Sequence, residues 1–190
     1  MSLATVLTRA QFGMESPLVR VEAHLGGGLP TFAVVGLPEK VVKESRERVR
    51  AAVTACGYAF PTGRITVNLS PAEFPKEGGR YDLPIALGLL GAAGAFPEDA
   101  LAGTEFYGEL SLGGELQPVR GALPAAYRAT QAGHRVVLPM ASAPEAALVD
   151  GARVGGAWHL RDVVDHVTGA RPLAFARGAP PPAGQAPGPD

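Results

Sequence analysis

The succession of strand-like and helix-like segments predicts an α/β fold built on a mixed, α+β type of sheet rather than a purely parallel one. Three observations predict it. Strand patterns come first, at residues 3–8, 18–25 and 31–35. Helical and strand patterns then alternate to the end of the patterned region. Between them, Arg64–Leu69 (RITVNL) has the pattern of a buried strand.

Each element has a local reason. Leu3–Thr8 is strand-like. In Leu18–Leu25, the apolar Val19, Val21, Ala23 and Leu25 alternate with Arg20, Glu22 and His24, the period of a half-buried strand. Gly26-Gly27-Gly28 breaks the chain before the strand Thr31–Val35. Pro38 suits a first helical turn. After it, Val42, Ser45, Val49, Ala52, Val53 and Cys56 share one helical face, closed by Gly57. Asp82 is placed to cap a helix running through Ile85, Leu87, Leu89 and Leu90.

Thr104–Leu110 and Glu115–Val119 predict a hairpin turned at Gly113-Gly114. Pro124 opens a helix that ends at Gly133. A strand at Val136–Leu138, a helix near Pro144–Asp150, a short strand and a helix at Trp158–Val167 complete the pattern. Gly178–Asp190 is almost wholly Gly, Pro and Ala. It cannot bury enough apolar surface to offset its ordering entropy, so it reads as a linker or tail, and a linker there suggests a further module after it.

Composition excludes several classes. At 190 residues and 46% hydrophobic, the chain can bury a core and is not disordered as a whole. Seventeen basic and eighteen acidic residues give no bulk attraction to polyanions, although residues 1–80 are mildly basic. One cysteine, Cys56, excludes an internal disulfide framework and a cysteine-based zinc cage. No basic leader precedes an apolar core. The longest apolar run, Leu83–Phe96, has 14 residues, short of the about 20 a membrane span needs. A soluble, cytoplasmic protein with no membrane partner is expected.

Catalytic signals are weak. The three lysines, Lys40, Lys43 and Lys76, follow Glu39, Val42 and Pro75, so no Gly-Lys phosphate loop exists here. No serine lies in a G-x-S-x-G elbow, and Cys56 falls on an apolar helical face. His159, Asp162 and His166 share a helical face and could ligate a divalent metal. Yet Leu160, Val163, Val164 and Val167 form the buried stripe of the same helix, leaving that polar set as its solvated side. No metal or catalytic residue is therefore assigned.

Two segments are candidate interaction surfaces. On the helix after Pro38, Lys43, Arg46 and Arg50 share a flank that could contact phosphates. The same flank also reads as a solvated face, with Glu39, Glu44 and Glu47 as i, i+4 partners. The segment Ser70–Pro84 is a charged, glycine-rich loop before a helix. Its amides with Lys76 and Arg80 favour an anion or partner, while Gly78, Gly79, Tyr81 and Asp82 fix the loop and cap. A turn held by caps and local ion pairs is the alternative.

Taken together, Val35-Gly36-Leu37-Pro38, the helix Val42–Arg50, Ile65–Leu69, Pro75–Pro84 and Tyr107-Gly108-Glu109-Leu110 resemble blocks of the N-terminal domain of the ComM/YifB family, magnesium-chelatase-like AAA+ proteins. The resemblance covers residues 1–172, with 173–190 as the linker to an ATPase module. It implies a Lon protease domain-like fold, related to the second domain of a small-subunit ribosomal protein. Lon-type proteolysis needs a loop serine and a helix-start lysine. Here the loop reads Lys76–Asp82 without serine, and Pro124 stands in the lysine's place. The resemblance thus implies a non-catalytic accessory domain that needs no cofactor of its own, ATP and magnesium belonging to the ATPase module. It further implies partners in that module and in like subunits of a homo-oligomeric, hexameric ring, with DNA during branch migration in natural transformation. A protein-only assembly or regulatory module is the alternative.

Overall fold

Alternating apolar residues organise the sheet as the sequence predicts. The computed structural model describes residues 2–71 and 79–182. β1 (Ser2–Arg9) and β2 (Leu18–Gly26) form an antiparallel pair in which Val6 faces Val21 and Ala4 faces Ala23. β3 (Thr31–Val35) leads into α1 (Glu39–Ala55), and β4 (Arg64–Ser70) returns antiparallel to β2 and parallel to β3. α2 (Asp82–Ala92) follows a 3-10 turn at Gly79–Tyr81.

The second half adds β5 (Thr104–Phe106), β6 (Glu109–Leu110), β7 (Leu116–Gln117), α3 (Ala122–Gln131) and β8 (Arg135–Pro139). It closes with α4 (Ala143–Ala146), β9 (Arg153–Ala157), α5 (Leu160–Val167) and β10 (Ala176–Arg177). Eight strands form one sheet in the order β10-β9-β8-β5-β1-β2-β4-β3, parallel from β1 through β5 and β8 to β9 and otherwise mixed. β3 and β10 are its two outer strands.

α2 is apolar on every side and lies across β1 and β2, buried between them and α1. Its closest approach is at Gly88, where a Cβ would stand 2.9 Å from the Ala23 Cβ. A larger residue would push the helix off the sheet. Around β8 the core has two faces. Val137 joins the cluster of α2 and α5, while Val136 and Leu138 pack with α3 and α4. That alternation makes this half three-layered.

Three expectations need correction. Thr104–Leu110 is not one arm of a hairpin: Thr104, Glu105 and Phe106 are all buried and enter the main sheet between β1 and β8. Only Glu109–Leu110 pairs with Leu116–Gln117. The helix near Pro144–Asp150 is a 3-10 turn at Met140–Ser142 followed by four α-helical residues. The paired structure also runs past residue 173, where the linker was expected to begin. Ala176–Arg177 pairs with Arg153–Val154, Gly178 N donates to Ala152 O, and Phe175 lies under the Arg135 guanidinium at 4.2 Å. No helix among the described residues is long and apolar enough to cross a membrane.

Candidate functional site

α1 has two unlike sides, and the sequence sets both. Its inner side buries Ser45, Val49, Ala52, Val53 and Cys56. Burial pushes the Cys56 thiol up, away from reactivity. Its outer flank exposes Lys43, Arg46 and Arg50. None of these three has an ion-pair partner among the described residues. Arg48, which i, i+4 spacing would pair with Glu44, instead turns inward to Asp82. Among the described residues the flank is therefore a row of cations without ion pairs rather than a lattice of helix-surface pairs.

The ground beside that row mixes apolar side chains with Glu39 and the cations themselves. A cavity of about 370 Å³ between α1 and β3 is lined by Phe32, Val34, Leu37, Val42, Lys43 and Arg46, among others. Next to it a smaller cleft joins Arg46 and Arg50 to Phe32 and Phe60. The two rings lie 6.3 Å apart, and the Arg50 guanidinium sits 4.8 Å over Phe60. Cations beside accessible rings can neutralise phosphates and stack bases. The aromatic part was not legible in the sequence, because Phe32 and Phe60 lie 28 positions apart and meet only through β3 and the approach to β4.

The second candidate segment divides. Lys76 and Gly78 lie outside the described residues. Gly79 is packed so tightly that a Cβ would meet the Glu109 side chain at 2.6 Å. Arg80 is not part of a surface: it is 6% exposed, and its Nη1 donates to Arg120 O at 3.2 Å. Tyr81 is buried too, its phenol pushed up to about 12 by burial. It remains a hydroxyl donor at neutral pH.

Asp82 does not cap α2. It is the first helical residue, behind Tyr81, and no side chain caps that end. Its fully buried carboxylate instead accepts from Ser45 Oγ at 2.7 Å, Arg48 Nε at 2.6 Å and the Leu110 amide at 3.1 Å. Burial pushes the carboxyl up, and Arg48, Ser45 and the amide pull against it. This group ties α1 to the start of α2 and to β6. It fixes the height at which the exposed flank stands.

The histidines of the possible metal face serve the backbone. His159 Nδ1 accepts from Arg161 N at 2.9 Å and Asp162 accepts from His159 N, a reciprocal cap on α5. His166 Nδ1 accepts from Leu173 N at 3.0 Å. Burial and then Arg135 hold the His166 imidazole below its ordinary range. The sign follows. The unfolded chain takes up this proton first, so stability falls as pH drops below about 6.5 toward the lower folded value. Urea midpoints at pH 7 and pH 5 should differ less in His166→Gln than in the wild type. Equal differences would refute the assignment.

Sequence reasoning missed one cluster. Glu105, on β5, is fully buried and accepts from Arg9 Nε at 2.7 Å and Nη2 at 3.0 Å. The Tyr107 hydroxyl donates to it, and His134 Nδ1 lies 2.8 Å from its second oxygen. The available signal was a glutamate inside an apolar strand, which demands a partner.

Comparison with known proteins adds the context. Residues 21–142 match the family described as subunit ChlI of Mg-chelatase. The competence protein ComM of Haemophilus influenzae is 45% identical over 93% of this chain and 35% of its own length. An uncharacterized protein, YifB, of Salmonella typhimurium is 44% identical over 95% of this chain and 36% of its own. An uncharacterized protein of Mycobacterium tuberculosis is 43% identical over 92% and 35%. The chain thus spans about a third of the length of these curated relatives.

Proposed function

The chain belongs to the magnesium-chelatase ChlI-like family, alongside ComM and YifB, and on that premise we propose that it is a non-catalytic, Lon-like accessory domain of a ComM-type AAA+ motor. In this reading it engages DNA during branch migration and helps assemble the ring of like subunits. The name of the Haemophilus relative, a competence protein, supports a role in natural transformation. ATP and magnesium are assigned to a module outside this segment. Lys40 and Lys43 lie inside α1, and no lysine follows a glycine, so the residues here do not form a phosphate cradle. A cytoplasmic location completes the reading.

One observation carries the proposal: the exposed row Lys43, Arg46 and Arg50, free of acidic partners among the described residues, beside a cleft floored by Phe32 and Phe60. In a ring, one such patch per subunit repeats. Weak phosphate contacts then sum, and net charge near zero is no obstacle.

The test is the triple alanine variant at these positions in the native full-length polypeptide. Three lost phosphate contacts should lower the slope of log affinity against log salt by about 2–3. Unchanged affinity and slope would remove α1 from DNA engagement. The place of β3 at an edge of the sheet among the described residues favours a second reading, a module that docks only on protein by strand addition. Assembly that depends on this domain in light scattering, without DNA retention, would select it.

A further inference from the structure

The arginines Arg9 and Arg80 are buried, and Arg48 is partly so. In two of them the Nε/Nη2 edge grips a carboxylate with two parallel hydrogen bonds. Arg9 holds Glu105 at 2.7 and 3.0 Å, and Arg48 holds Asp82 at 2.6 and 3.2 Å. Arg80 is the exception. Its Nη1 is used on Arg120 O, but Nε and Nη2 are buried without an acceptor among the described residues.

That edge is an incomplete half of a pairing this fold makes twice elsewhere. Arg80 is 6% exposed, so the edge is turned away from bulk solvent. Burial lowers its pKa, yet a guanidinium keeps its charge at any pH the fold tolerates. The Tyr107 ring, 5.9 Å away, offers a π face and no hydrogen-bond acceptor toward this edge, its hydroxyl already donating to Glu105. The hydroxyl of the adjacent residue, Tyr81, is a further buried donor without a partner among the described residues. Two N–H groups of one buried guanidinium therefore lack an anion among the described residues.

We propose that the Nε/Nη2 edge of Arg80 is a receptor for a carboxylate, bound in two-point fashion. The flat Nε/Nη2 edge matches the two oxygens of a carboxylate, as Arg9 and Arg48 demonstrate in the same molecule. The carboxylate comes either from a small organic acid or from an aspartate or glutamate side chain of a docking polypeptide.

The experiment titrates the purified protein with sodium acetate against sodium chloride at equal ionic strength, following thermal unfolding and the Arg80 Nε–H signal by NMR. Acetate should raise the melting temperature saturably, by about 5 °C at a hundredfold excess over its dissociation constant, and shift that signal. Arg80→Met should abolish both responses while unfolding no earlier in chloride, since it removes an unpaired buried cation. Arg80→Lys, which keeps charge but not the two-point edge, should lose most of the response and serves if the methionine variant fails to fold. A blocked Gly-Glu-Gly peptide separates the sources: tighter binding than acetate marks a docking side chain, weaker binding a free acid. An acetate response unchanged in both variants overturns the proposal, as does no response beyond chloride. It is equally overturned if Glu73→Gln or Glu77→Gln alone creates the acetate response, because the edge would then serve the chain's own carboxylate.

Discussion

Glu105→Ala should destabilise the domain by about 3–5 kcal/mol, because it leaves the Arg9 guanidinium buried with Ser16 O as its remaining acceptor. For a domain of this size that is a fall of roughly 10 °C or more in melting temperature. The carboxylate takes four contacts from three side chains, two of them from Arg9. It sits on β5 between β1 and β8, where the two halves of the sheet meet. Burial and the adjacent Glu105 charge push the Tyr107 phenol well above its ordinary value, which keeps it a donor.

The double variant Arg9→Met, Glu105→Leu should recover a large part of the loss, since no charge then remains unpaired. Urea denaturation of both proteins measures this. A single-variant cost below about 1 kcal/mol would mean that the cluster is hydrated and not the clasp described here.

What could be seen in the sequence, and what could not, follows the range of the interaction responsible. β2 was legible because Val19, Val21 and Ala23 alternate with polar neighbours and one face of the strand stays wet. α1 was legible from the spacing of Ser45, Val49, Ala52 and Val53. Local pattern failed where distant residues decide. Arg48 looked like a surface partner of Glu44, but Asp82, 34 positions away, draws it inward. Asp82 looked like a cap because aspartate before an apolar run usually is one. Its actual task depends on α1 and β6 arriving beside it. Glu105 broke the apolar pattern of its strand, and nothing local names Arg9, 96 positions earlier, as its counter-charge. In the candidate interface, Lys43, Arg46 and Arg50 were predicted as a row, whereas the Phe32–Phe60 floor exists only after β3 is laid beside β4.

The same long-range logic makes Asp82→Ala the most direct test of how the interface is positioned. The variant should cost about 3–5 kcal/mol, since it strands the Arg48 guanidinium and leaves the Ser45 hydroxyl and Leu110 amide without their acceptor. Part of that cost is specific to the pair. A cycle of Asp82→Ala with Arg48→Met should show a coupling of about 1–3 kcal/mol, because the double variant no longer leaves the partly buried Arg48 without its carboxylate. Additive losses would show that Asp82 acts through Ser45 and Leu110 alone. The functional consequence is separable from folding. Under conditions where Asp82→Ala remains folded, α1 loses its tether to α2 and β6, while Lys43, Arg46 and Arg50 keep their charges. If the row must be held in place to meet successive phosphates, DNA affinity should fall by more than tenfold with the number of ionic contacts, read from the salt slope, reduced. If charge alone suffices, the slope stays as in the wild type, and the rigid placement of α1 is irrelevant to engagement.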